Sequence, residues 1–284
     1  MHSTQSPPAR SQVSAAGSWA RGYWQDHPKR SLETFGRQIT MGVQAIVELF
    51  VDLFRGRFPW QEFIKQCGFM ASVSAAPTLL VAIPIGVVVS IQVGSIAGQV
   101  GATSFIGAAN GLGIIRQGAP LVTSLMIAGA VGSAICADLG SRTIREEIDA
   151  MKVMGVDPMR RLVAPRLLSA MLVSVLLCGF VIFVGFLTGY MFNIFAQNGT
   201  PGSYVGTFAS FAVASDLIVA LVKSLIFGLL AAIIACDTGL NTRGGPGGVA
   251  NSVNAAVVTS AIMLFAVNII ITQLYNTFFP SQVV

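Results

Sequence analysis

Long apolar runs, broken by one charged island, set the pattern of this chain. Five stretches, 76–96, 120–137, 167–192, 217–236 and 253–275, are apolar for long enough to cross a bilayer as helices, which takes about 20 residues. A further apolar run, Thr103–Ile115, is short and rich in glycine. It reads as a re-entrant or surface helix, or as an extension of the second span. Pro84 and Pro120 each remove a helix hydrogen bond and can kink their spans, with neighbouring helices supplying compensating contacts.

Before the first span the pattern changes twice. Residues 1–30 are polar and carry no apolar run, so they read as a disordered tail without a cleavable signal segment. In the region 31–70, Ile39, Val43, Ile46, Phe50 and Leu53 recur at helical spacing, with Gln44, Glu48, Asp52 and Arg55 opposite. This amphipathic helix holds too many charges to span. It reads as lying in the interface plane, anchored by Phe58, Trp60 and Phe63; the alternative is a helix packing on another soluble element. Residues 71–284 form the membrane domain.

The island is Gly140–Arg166, with six basic and four acidic residues between the second and third spans. Thr143-Ile144-Arg145-Glu146 matches a capping box and predicts a helix over about 143–155. Gly155 suits the left-handed position that ends one. Asp157-Pro158 then opens the next helix, and Pro165 closes the island. Ile144, Ile148 and Met151 form one stripe, and Arg145, Glu146, Glu147, Asp149 and Lys152 take the rest. Such an element can lie passively on the membrane surface or plug into a soluble partner.

Composition fits this picture. Charged residues make up 10% of the chain, hydrophobic residues 54%, and mean hydropathy is +0.73, against about 25% charged in soluble domains. The fold class is therefore all-α and polytopic, with nothing that suggests a nucleic-acid partner. Of the basic residues, Arg10, Arg21, Lys29, Arg30, Arg37, Arg55, Arg57 and Lys65 precede the first span, six lie in the island, and Arg243 follows the fourth span. The positive-inside rule then places the N-terminus, the island and the Arg243 loop in the cytoplasm and the C-terminus outside.

Candidate chemistry is sparse. His2 and His27 lie in the tail, so no histidine metal site or proton relay falls within a span. Cys67, Cys136, Cys178 and Cys236 are widely spaced and read as small buried hydrophobes. The run Gly244-Gly245-Pro246-Gly247-Gly248 lacks the lysine of a phosphate loop and reads as a flexible connection. No nucleotide-binding motif is present, so the chain is not read as an ATPase, and the absence of histidine and of paired carboxylates within the spans speaks against an intramembrane enzyme. Asp216 and Lys223 flank or enter the fourth span. They are seven residues apart, about 10 Å along a helix, so they do not pair directly. An ionisable residue within a span is a functional candidate. Lys223 can alternatively snorkel, or pair with another helix. These two residues would serve an ion-coupled secondary transporter or channel. Small residues cluster at Gly86, Gly94 and Gly98, and at Ala128, Gly129, Ala130, Gly132, Ser133 and Ala134, where helices can approach closely.

The run Gly118–Arg166 carries a longer signal. Pro120, Ala128, Gly129, Gly132, Ser133, Ala134, Asp138, Gly140, Glu147, Ile148, Met151, Asp157, Pro158, Arg160, Arg161, Pro165 and Arg166 follow a gapless pattern. In this pattern the chain resembles the MlaE/YrbE family of lipid-transport permeases. The resemblance implies the permease subunit of an ABC-type transporter that works with MCE-domain proteins in the inner (plasma) membrane. The lipid would be a fatty acid, mycolic acid, sterol or phospholipid. ATP and Mg would sit on a separate ATPase, with no cofactor in this chain. The island would then be the coupling helix, with Arg145, Glu146, Glu147, Asp149, Lys152, Asp157, Arg160 and Arg161 meeting that ATPase. Gly86, Gly94, Pro120, Gly129, Gly132, Ser133, Asp138 and Lys223 would line a cavity or pack helices. Gln117 and Ala130 stand where many members have Glu and Arg. In this the chain is closer to the actinobacterial YrbE branch, in which two non-identical permease subunits pair.

Overall fold

The computed structural model describes residues 34, 36–52, 54–56, 58–197 and 199–278. The tail 1–30, Leu53, Arg57 and residues 279–284 lie outside them. The chain divides into two units after Gln44. In the first, residues 36–44 are helical. The second begins with helical residues 45–52 (α1), on which Leu49 packs against Phe58 and Ala164 while Phe50 stays exposed.

Five helices in the second unit are long and apolar enough to cross a membrane: α2 (Trp60–Gln99), α3 (Thr103–Ile144), α5 (Met159–Gln197), α7 (Ala214–Leu240) and α8 (Gly245–Phe278). Two short helices connect them, α4 (Glu147–Val153) between α3 and α5 and α6 (Pro201–Phe211) between α5 and α7. The α4 connection defines the elbow end of the bundle, and α6 marks the far end.

α2 runs 40 residues without interruption and includes Trp60, Phe63 and both Pro77 and Pro84. At 1.5 Å per residue it is roughly 60 Å long, about twice the hydrocarbon thickness. The sequence-based boundary at residue 70 therefore falls inside this helix. Trp60 and Phe63, read as anchors of an in-plane helix, belong to the first turns of the span helix. α2 ends in a Schellman turn, with Gly101 at φ +69° and Ala102 N–H donating to the Ala97 carbonyl at 2.8 Å.

The Thr103–Ile115 run is an extension of the second span, because α3 is helical from Thr103 to Ile144. It holds two π-turns, at Ile114–Gly118 and Ile127–Val131. The first lies just before Pro120, which has no N–H for the Arg116 carbonyl; the wider turn accommodates the missing bond. The same solution recurs before Pro165, where Met159–Val163 is a π-turn.

α3 is the most buried span, and α2 and α8 the least. α2 packs along α5, α5 against α7, and α3 against α7 and α8. The core between them is built from small and β-branched residues, among them Ala82, Ala119, Val122, Cys178, Val181 and Ala220. Close approach is fixed at Gly239, where a Cβ would sit 2.9 Å from the Leu139 Cβ and 3.0 Å from the Cys136 carbonyl. α8 begins at Gly245, after Gly244 at φ +88°. Most of the glycine run read as a flexible connection is thus the first turn of a helix.

Candidate functional site

The elbow is shorter than the sequence suggests. The capping-box reading at Thr143 is corrected: Thr143 lies in the last turn of α3, and its hydroxyl donates back to the Leu139 carbonyl at 2.9 Å and across to the Gly239 carbonyl at 3.3 Å. No Pro interrupts residues 132–144 and Gly140 sits buried within the helix without ending it, so the span helix continues through the expected start of the elbow helix. The chain then reverses at Glu146, which adopts φ +60°, uncommon outside glycine. α4 follows as two turns only. Its end is as expected: Gly155 at φ +75° donates to the Lys152 carbonyl at 3.0 Å, and Val156 N–H to the Met151 carbonyl at 2.9 Å, a Schellman turn. Asp157 caps the next helix, its Oδ1 accepting from Met159 N–H at 2.9 Å.

Ile148 is the buried foot of α4, at 5% exposure. The tip carries Val153 and Met154, 89% and 70% exposed. Around it the candidate coupling residues pair locally, Arg145 with Glu147 at 3.2 Å and Lys152 with Asp149 at 2.9 Å. Asp157, Arg160 and Arg161 line a cavity of about 300 Å³ together with Asp52, Pro59 and Gly155. Beside it, burial pushes the Glu48 carboxyl above its ordinary range. Asp157 and Asp52 push it the same way, against Arg160.

The elbow is anchored by charge. Asp138 of α3 accepts from Arg166 of α5 and, at 3.2 Å, from Arg142. Arg166 is 1% exposed and also donates to the Leu162 carbonyl at 3.0 Å. Its role was not read from the sequence beyond its place in the motif, because the partners lie 28 residues apart, across the elbow.

A second charged group sits toward the far end. Arg116 Nε donates to Asp216 Oδ2 at 2.9 Å, and the Tyr275 hydroxyl to Asp216 Oδ1 at 3.1 Å. Lys223, 3% exposed, donates to Thr272 Oγ1 at 2.8 Å. These residues line a cavity of about 220 Å³ with Gln117 and Asn276. Asp216 and Lys223 do not pair with each other, as their spacing implied. Arg116 was the residue missed. One signal for it existed: Arg116 and Lys223 are the only basic residues outside the pre-span region, the island and the Arg243 loop, and Asp216 is the acid beside them.

The other candidates separate. Gly86 meets Thr188 and Gly185 of α5, Gly94 leaves room for the Gln197 amide, and Gly132 faces Ala235 of α7. Pro120 is buried, and Ser133 donates to the Ala130 carbonyl at 3.0 Å. A side chain at Gly129 would meet open space within this chain. Asp138 and Lys223 fall at opposite ends of the bundle. The four cysteines are free, three of them buried.

Five apolar spans, ion pairs with a buried partner at two levels and a capped polar elbow are the parts of a multi-pass membrane protein. Residues 63–274 match the family described as Permease MlaE. A Synechocystis sp. protein named probable ABC transporter permease protein is 32% identical over 246 residues, 87% of this chain and 94% of that protein. A Rickettsia bellii protein of the same description is 28% identical over 212 residues, 75% and 82% of the two chains. The chloroplastic protein TRIGALACTOSYLDIACYLGLYCEROL 1 of Arabidopsis thaliana is 26% identical over 232 residues, covering 80% of this chain and 65% of that one. The chain belongs to the MlaE permease family, as the permease of an ABC-type transporter.

Proposed function

We propose that this chain moves lipid across or out of the inner (plasma) membrane, driven by ATP hydrolysis on a separate ATPase subunit. The observation that supports this most directly is the elbow. A short helix with an exposed apolar tip joins two spans that the Asp138–Arg166 pair ties together at its base, where Thr143 also bonds across to Gly239 of α7. Movement of a soluble partner gripping Val153 and Met154 would pass to α3 and α5 together, with Arg145, Glu147, Asp149, Lys152, Asp157, Arg160 and Arg161 around the grip. In this reading the elbow and the N-terminus face the cytoplasm and the C-terminus faces outside.

The lipid reading draws on family membership, on the name of the Arabidopsis relative, and on the charged cavity at Arg116 and Lys223, which suits a headgroup. The sparsely buried α2 and α8 leave broad apolar faces for lipid or for a second permease subunit, non-identical if the YrbE-like pattern holds. MCE-domain proteins would receive or deliver the lipid. An ion-coupled transporter is the weaker alternative, because Asp216 is already held by Arg116 and Tyr275.

Affinity purification of the tagged full chain from its native membrane tests this. The expected result is co-purification of an ATP-binding subunit and MCE proteins, with ATPase activity only in that complex. ATP turnover by the isolated chain, or purification without an ATPase, would overturn it.

A further inference from the structure

The far end holds another cavity, separate from the Arg116–Asp216 group. It measures about 270 Å³ and lies between the first residues of α3, the last turns of α5 and the first turn of α6. Thr103, Ser104, Asn193, Gln197, Thr200 and Ser203 give it its polar edge, and none of the described residues that line it is ionisable at neutral pH. We propose that this cavity binds an uncharged, hydroxyl-rich group: a glycosyl or glycerol headgroup carried on a lipid, or the same group in free form.

Charge argues for that class. A phosphate or ammonium here would shed its hydration without a counter-charge, which disfavours the charged form. The N-terminus of α6 offers an anion only a partial charge. A neutral polyol brings no such penalty.

The hydrogen-bonding groups are also arranged for hydroxyls. Asn193, 3% exposed, donates Nδ2 to Gln197 Oε1 at 3.2 Å, and Gln197 Nε2 donates to the Ser90 carbonyl at 3.0 Å. Both amides are thus held in place, and Asn193 Oδ1 is left to accept. The hydroxyls of Thr103, Ser104 and Thr200 have no partner among the described residues, and each can both donate and accept, as sugar hydroxyls do. The Tyr204 ring closes one side. Its hydroxyl points away from the cavity, into the packed interior beside Asn110 and Gly189. The volume is a little under the roughly 300 Å³ at which pockets for drug-sized ligands begin, enough for one headgroup with the acyl chains left outside.

The test is native mass spectrometry of the full chain in an amine-oxide detergent, without ATP, so its outcome is independent of the ATPase-driven reading. The probes are a glucosyl diacylglycerol, a phosphatidic acid with the same acyl chains, and free methyl glucoside. The proposal expects a glucosyl-lipid adduct at least tenfold more abundant than the phosphatidic acid adduct, or a methyl glucoside adduct if the natural source is a free sugar. Thr200→Val combined with Ser104→Ala should reduce the adduct at least fivefold. Neither side chain holds a structural bond, so thermal unfolding should not change. Equal or stronger retention of phosphatidic acid would make this an anion site at the α6 N-terminus and overturn the proposal. So would a full-strength glucosyl adduct in the double variant, or no adduct with either sugar probe.

Discussion

Arg166 gives its guanidinium to Asp138 from a position where only 1% of its side chain is exposed, whereas the Asp138 side chain is 33% exposed and is also held by Arg142. The two partners are therefore unequal. Removing the carboxylate takes from a buried cation its ion-pair partner across the elbow and keeps its bond to the Leu162 carbonyl. Removing the guanidinium leaves a partly hydrated carboxylate that keeps a second arginine.

Asp138→Asn should therefore destabilise more than Arg166→Met. Orphaning a buried charge costs about 3–5 kcal/mol, and the methionine variant should stay within the ordinary 0.5–3 kcal/mol of a point change. Thermal unfolding of the purified variants in detergent measures the difference. Equal destabilisation would mean that Arg166 is hydrated from a neighbouring subunit or the membrane surface.

Packing gives a prediction of opposite sign at two glycines. Gly239 brings α7 against the backbone of α3, so Gly239→Leu should force the helices apart and cost at least about 1–3 kcal/mol. Gly129 faces open space, and Gly129→Ala should be neutral or stabilising by up to about 1 kcal/mol through helix propensity. The same unfolding assay checks both. Loss of activity in Gly129→Ala without loss of stability would place Gly129 against a second subunit or a substrate.

Much of this architecture was legible in the sequence because bilayer spans announce themselves by length and composition. Five apolar segments became five membrane-length helices, and the Gly155 and Asp157 signals ended and opened helices where local chemistry required. Boundaries were less legible. Nothing stops a helix between Gly132 and Ile144, so the span absorbed the expected capping box, and the reversal fell to Glu146 in a conformation no local pattern announces. The charge pairs were the least legible part. Arg116 and Asp216 are 100 residues apart, and no periodicity connects them; only the cost of an unpaired charge in a span says that they must meet.

Acidity should strengthen the elbow end. The Glu48 carboxyl is raised by burial and then by Asp157 and Asp52. Below the ordinary carboxylate range it is protonated in both states and has no effect. As pH rises, the unfolded chain ionises first, so stability falls until pH passes the raised folded value. Unfolding temperature should therefore rise as pH is lowered from neutral toward that range, and Glu48→Gln should flatten this part of the profile. An unchanged profile in Glu48→Gln would assign the effect to another group.

Orientation can be tested by single-cysteine labelling of intact cells, in a background lacking Cys67, Cys136, Cys178 and Cys236. A probe at Gly199 on the α5–α6 connection should label from outside, and one at Lys152 on α4 should not. Ser281 should label as Gly199 does, although it lies outside the described residues. Labelling at Lys152 from outside would invert the topology and remove the elbow from any cytoplasmic ATPase.

The elbow itself separates two kinds of contact. Val153 and Met154 form its apolar tip, and Glu147 sits at its start in a pair with Arg145. If an ATPase grips this helix, the tip enters a pocket and the carboxylate faces a cationic or donor group. Val153→Asp with Met154→Asp would then place two charges into that pocket, and ATPase association should fall more than tenfold. Glu147→Lys would set like charges against each other, and losing such an interfacial pair costs about 2–5 kcal/mol. Both variants should still insert and express, because neither site is buried within the chain; Ile148→Asp, at the buried foot, should not. If the helix only rests on the membrane, an added lysine would strengthen its hold on anionic lipid. Wild-type ATPase recovery in both tip and Glu147→Lys variants would leave α4 a passive connector, and the coupling role would have to move elsewhere on the elbow end.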